Sequence, residues 1–146
     1  MTLADLENLI NASEVSAGDL LSAGEHILGH WLEAKDQTPT SDSREGFRLL
    51  ALHRQGAKLD PSFNACRETC RELAWHYNLI QAEEDPEAIK QQTTMMRFVA
   101  RHLLLFVGGK LEQDGLGEFC CSSKPLRQSG FPTVPRAGEN SATQTR

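Results

Sequence analysis

Two thiols and an imidazole raise the first chemical question about this chain. Cys66 and Cys70 stand one helical turn apart within PSFNACRETCRELAWHYNLI, residues 61–80. Apolar residues there fall at Phe63, Cys66, Cys70, Leu73, Tyr77 and Ile80. Steps of three and four make a helical seam that faces other helices. His102 falls in the apolar stripe of the last helical stretch, between Met95, Val99 and Phe106. If the two stretches pack antiparallel, Cys66, Cys70 and His102, with Met95 as a thioether, share one interior. Such soft donors suit copper or zinc.

As a motif alone, the CxxxC pair resembles those facing the interior of bacterial copper-storage bundles. Those carry many more cysteines, and this chain has four. Packing is the favoured reading. Buried free cysteine behaves as a small hydrophobe, and a metal needs a full ligand set at proper geometry. A Cys66–Cys70 disulfide is also disfavoured, because Cβ atoms one turn apart lie about 5–6 Å from each other where a bridge wants about 3.8 Å. A second metal pattern fails too. Asp19, His26, His30 and Glu33 share one face of an earlier helix, but that face lies opposite its apolar stripe and points to solvent.

Catalysis has little support. The chain has no glycine-rich phosphate loop, no HExxH and no GxSxG elbow. Nothing in the sequence sets Cys66 at a helix N-terminus, where its thiolate would be favoured.

Recognition has more. Trp75 and Leu79 lie one turn apart, away from the cysteine seam and near the side of Arg71. A second apolar patch on a helix either packs on a further element or binds another chain, and tryptophan and arginine are enriched where binding energy concentrates. Arginines also recur as pairs four apart, Arg44/Arg48, Arg67/Arg71 and Arg97/Arg101. Their forks suit oxyanions, but Glu45, Glu68 and Glu72 stand among them, so exposed ion pairs are the favoured reading.

The elements that must position these residues are helices. Thr2 with Asp5 and Ser16 with Asp19 make capping boxes. The second opens a helix to about Lys35 that buries Leu20, Ile27, Leu28, Trp31 and Leu32, with Gly24 inviting another backbone close. After a polar linker, Asp42 and Glu45 start a third helix that Gly56 stops. Asp60-Pro61 starts the cysteine helix and Asp85-Pro86 the last one, which carries Ile89, Met95, Phe98, Val99, Leu103 and Phe106 to about Gln113. From Gly115 to Arg146 the texture turns to glycine, proline and serine. That segment reads as a flexible, disordered tail in which Phe119, Leu126 and Phe131 are docking points.

The expected architecture is all-α: a four-helix-bundle-like single domain over residues 1–114, with a short N-terminal helix and a disordered C-terminal tail over 115–146. A chain of 146 residues holds one such core. The net charge of −5 argues against nucleic acid. No apolar run approaches the roughly 20 residues of a membrane span. The N-terminus lacks a basic, then apolar, secretory leader, so the expected location is the cytoplasm, where thiols stay reduced. The first functional expectation is a small non-enzymatic accessory protein that binds a protein partner or itself through Trp75, Leu79 and Arg71. The alternative is a soft-metal or thiol-based sensor or carrier using Cys66, Cys70 and His102.

Overall fold

The computed structural model describes residues 1–115, of which 77% are helical. Five α-helices follow in order: α1 (Leu3–Ile10), α2 (Ala17–Ala34), α3 (Arg48–Leu59), α4 (Arg67–Ala82) and α5 (Pro86–Gln113). A 3-10 segment, Pro61–Cys66, joins α3 to α4. The tail expected from Gly115, with Phe119, Leu126 and Phe131, lies outside the described residues past Gly115 itself.

The caps form as the sequence implies. Thr2 Oγ1 accepts from the Asp5 amide at 3.0 Å while the Asp5 carboxylate accepts from the Thr2 amide at 2.9 Å. Ser16 and Asp19 repeat the exchange at 3.0 and 3.1 Å. Asp60 and Asp85 each accept an amide two residues on and are followed by proline. Such caps contribute about 1 kcal/mol each.

α3 begins later than Asp42 and Glu45 suggested. Arg44 and Phe47 exchange two backbone hydrogen bonds at 2.9 and 3.0 Å, and the two residues between them have positive φ, 56° at Glu45 and 86° at Gly46. This is the geometry of a tight hairpin turn of type I′, which glycine tolerates and a helix cannot contain. The turn swings Glu45 away from any capping position. Gly56, expected to end this helix, lies inside it. The Phe63 ring rests on its bare backbone, and a Cβ there would come within 2.8 and 2.9 Å of two ring carbons.

α2 is the central helix. Leu20, Ile27, Leu28, Trp31 and Leu32 are wholly buried, and α2 packs against all four other α-helices. α4 and α5, joined by a short turn, form the most extensive helix pair. At Gly24 the close approach is made by leucine side chains rather than by a backbone: Leu49, Leu73 and Leu103 surround it.

The buried stripe of α5 differs from the expected one. Met96, Ala100, Leu103, Leu104, Val107 and Leu111 face the core, whereas Met95, Phe98 and His102 are exposed. The reason is that α5 carries apolar residues around most of its girth between positions 95 and 107. Its burial is set by the double packing on α2 and α4, not by the best single stripe. Among the described residues, no helix is long and apolar enough to cross a membrane.

Candidate functional site

The cysteine stretch is not one helix. Residues Pro61–Cys66 wind as 3-10, and Cys66, with φ −101° and ψ 13°, becomes the N-cap of α4. Lys110 at the end of α5 fastens the tighter segment, donating to Ser62 Oγ at 2.7 Å and pairing with Asp60 at 3.4 Å. Cys66 thus occupies the helix N-terminus that the sequence did not reveal, where backbone N–H groups and the helix dipole favour a negative sulfur.

Around Cys66 the chain gathers a polar knot inside an aromatic stack. Phe63 lies between Trp31, at 4.3 Å between ring centroids, and His53, at 5.6 Å, all three nearly parallel. The Phe63 carbonyl accepts from the His53 ring N–H at 3.0 Å and from the Cys66 thiol at 3.3 Å. His53, Cys66 and Cys70 are all buried. The Cys70 thiol, hydrogen-bonded to Cys66, is the main reason the Cys66 pKa falls to about 6, with His53 assisting and burial opposing. Cys70 is pushed up in return, first by that same bond and then by burial. The pair therefore divides into one acidic sulfur and one reluctant one. Both are free thiols.

His102 does not join them. It projects from the exposed face of α5, as does Met95, 53% exposed. The imidazole that approaches the thiols is His53 of α3, which sequence reading passed over. Its signal was present: Leu49, Leu52, His53 and Gly56 recur at helical spacing along one face. Among the described residues, no group of three or more His, Cys, Asp or Glu side chains is placed to hold a metal ion. The outward histidines of α2 turn to backbone carbonyls instead, His26 to Ser22 and His30 to Met1.

The arginine pairs separate. Arg48 reaches the Thr40 carbonyl at 2.8 Å, and Arg97 reaches the Ala12 carbonyl at 2.8 Å, both as structural straps. Arg44 and Arg67 instead turn to one cleft with Arg54 and Arg71, over His53 and Asn64, enclosing about 120 Å³. Arg71 grips Glu45 with two hydrogen bonds of 3.0 and 3.2 Å, and its guanidinium holds the Glu45 carboxyl below the usual range. Arg67 contacts Glu68. Among the described residues, neither Arg44 nor Arg54 is engaged in an ion pair. On a chain of net charge −5, this is a local reversal of sign.

Trp75 stands beside that cleft. It is 59% exposed, with its ring edge-on to His76, while Leu79 one turn away is half-buried. A second hollow of about 190 Å³ is lined by Phe47, Leu50, Ala74 and Trp75 together with Arg71 and Glu45. Leu50 and Arg71 line both hollows, so the apolar and the cationic regions are neighbours along one face.

No family model, no curated protein and no solved structure matches this chain. Its chemistry therefore rests on its own geometry. The side chains of Trp75, Arg44 and Arg54 are exposed on this face, and Cys66 and Cys70 are buried free thiols.

Proposed function

We propose that this protein is a non-enzymatic helical interaction module that captures an acidic, apolar-anchored segment of a partner protein. The observation that carries this reading is the exposure of Trp75 next to the four-arginine cleft. An isolated exposed aromatic would say little, since single surface hydrophobes are common. Here the ring borders a hollow that shares Leu50 and Arg71 with the cleft of Arg44 and Arg54, whose forks match carboxylates in shape and sign. An apolar side chain of the partner buries against Trp75, Phe47 and Leu50, and its flanking carboxylates settle among the arginines. Arg71, already held by Glu45, braces the wall between the two hollows rather than serving as the first contact. Leu79 backs Trp75 from the next turn.

The reading is tested by selecting peptides from a random display library on the wild-type protein. Enriched sequences should pair a large apolar residue with neighbouring Asp or Glu. They should lose most of their binding to Trp75→Ala and to Arg54→Glu, both of which alter exposed side chains and leave the helices intact by circular dichroism. Peptides that bind these variants as well as wild type would refute the site. A dimer in sedimentation that Trp75→Ala dissolves would assign the face to a second copy and refute the acidic partner.

A further inference from the structure

Beneath that binding face lie Cys66 and Cys70, which line neither of its two hollows. We propose that Cys66 and Cys70 form a peroxide-oxidisable dithiol, in which Cys66 is the attacking sulfur and Cys70 the resolving one. The roles follow from place in the fold. Cys66 lies outside the regular hydrogen bonding of α4, at its N-terminus, and its neighbours His53 and Arg67 both line the cationic cleft. Cys70 lies one turn inside α4, wholly buried. The cleft lies on the far side of His53 and Arg67 from Cys66, and hydrogen peroxide is small enough to enter it.

The chemistry closes without any further reagent. The Cys66 thiolate attacks one oxygen of hydrogen peroxide, an S–O bond forms and the O–O bond breaks. The electron pair leaves on hydroxide, which takes the proton that Cys66 released on ionising. Cys66 is then a sulfenic acid. The Cys70 sulfur attacks it, the S–S bond forms, and hydroxide leaves from Cys66 to take up the Cys70 proton as water. Two thiols and one peroxide give one disulfide and two waters, with sulfur oxidised and peroxide oxygen reduced.

Helical spacing argued against a bridge between residues four apart, but that argument assumes both lie in the helix. As an N-cap, Cys66 can be drawn toward Cys70 by movement of the 3-10 segment alone. The movement takes Cys66 off the Phe63 carbonyl and shifts Asn64 and Arg67, two walls of the cleft.

The test uses the full chain in a Cys120→Ser/Cys121→Ser background, which removes the two cysteines outside the described residues. One equivalent of hydrogen peroxide is added under nitrogen, followed by alkylation, trypsin and mass spectrometry. Cleavage at Lys58, Arg67 and Arg71 separates the two cysteines. The expected product is therefore the fragment of residues 59–67 linked to the fragment of residues 68–71. With Cys70→Ser, Cys66 should stop as a sulfenic acid that dimedone traps. With Cys66→Ser, Cys70 should stay unmodified, and the linked fragment should vanish in both variants. Dimedone labelling of Cys70 in the Cys66→Ser protein would overturn the assignment of roles. Alkylation of both thiols in the peroxide-treated parent, with no linked fragment, would overturn the dithiol.

Discussion

Replacing Gly56 by alanine tests the aromatic stack on which the thiol knot rests. The new methyl carbon would stand 2.8 and 2.9 Å from two carbons of the Phe63 ring and 3.4 Å from Trp31. Carbon atoms in contact prefer about 3.5–4.0 Å, so the ring edge must retreat by roughly 0.6 Å or more. It has nowhere free to go, because Trp31 and His53 hold its faces and Phe106 lies 6.1 Å away on another side. Overpacking of this kind costs about 1–3 kcal/mol, while alanine recovers about 1 kcal/mol of helix propensity over glycine. The balance is a loss of about 1 kcal/mol, which in a domain of this size lowers Tm by about 4 °C. Gly109 supplies the control. It too lies inside a helix, but a Cβ there meets nothing within 4 Å. Gly109→Ala should therefore gain up to about 1 kcal/mol and raise Tm by up to about 4 °C. The two variants are compared by thermal circular dichroism at one concentration. If Gly56→Ala rises with Gly109→Ala, the Phe63 ring does not sit on α3, and the geometry proposed for the Cys66 knot falls with it.

Two further outcomes can be read independently. Met96→Ala should cost about 2–5 kcal/mol in urea unfolding, as for a large core side chain, whereas Met95→Ala should stay within about 0.5 kcal/mol; the reverse order would restore the stripe that places His102 inward. The second concerns Glu45, whose carboxyl Arg71 holds below its usual value of 4.5. A depressed acid keeps its contribution above the ordinary carboxylate range and loses it as pH falls through the depressed value, so the Glu45–Arg71 pair should persist at pH 5 and release below 4.5. Carboxyl carbon NMR should follow that titration and find it moved upward in Arg71→Ala; an unmoved curve would mean that the turn, not the arginine, sets Glu45.

Much of the architecture was legible because it depends on local rules. Thr2, Ser16, Asp60 and Asp85 announce helix starts by side-chain chemistry that acts within three residues. The failures share a different cause. The start of α3 was misplaced because Asp42 and Glu45 imitate a capping box, while Gly46 and the pull of Arg71 on Glu45 favour a turn. That pairing spans 26 residues and has no local signature. The phase of α5 was lost because apolar residues nearly encircle it. The break at Cys66 escaped notice because a 3-10 turn and an α-turn share the same apolar spacing over so few residues, and the 3-10 segment is fastened by Lys110, 48 positions from the Ser62 it grips. The exposure of Trp75 agrees with the seam read from sequence. The convergence of Arg44, Arg54 and Arg67 needed the fold.

The meeting of leucines at Gly24 has a consequence for how the molecule comes apart. Leu49 and Leu73 would each lie 3.0 Å from a Cβ on Gly24, with Leu103 at 3.8 Å, so α2, α3, α4 and α5 each contribute one residue to a single point. No one of those helices can leave without exposing the contacts of the other three. Partial unfolding that releases α5 while α2 to α4 persist is thereby penalised, and the four should melt as one cooperative unit. α1 touches α2 and α5 but has no residue at that point, so its short helix can fray ahead of the rest. In amide hydrogen exchange, amides at the centres of α2, α4 and α5 should share one opening free energy, and those of α1 should exchange sooner.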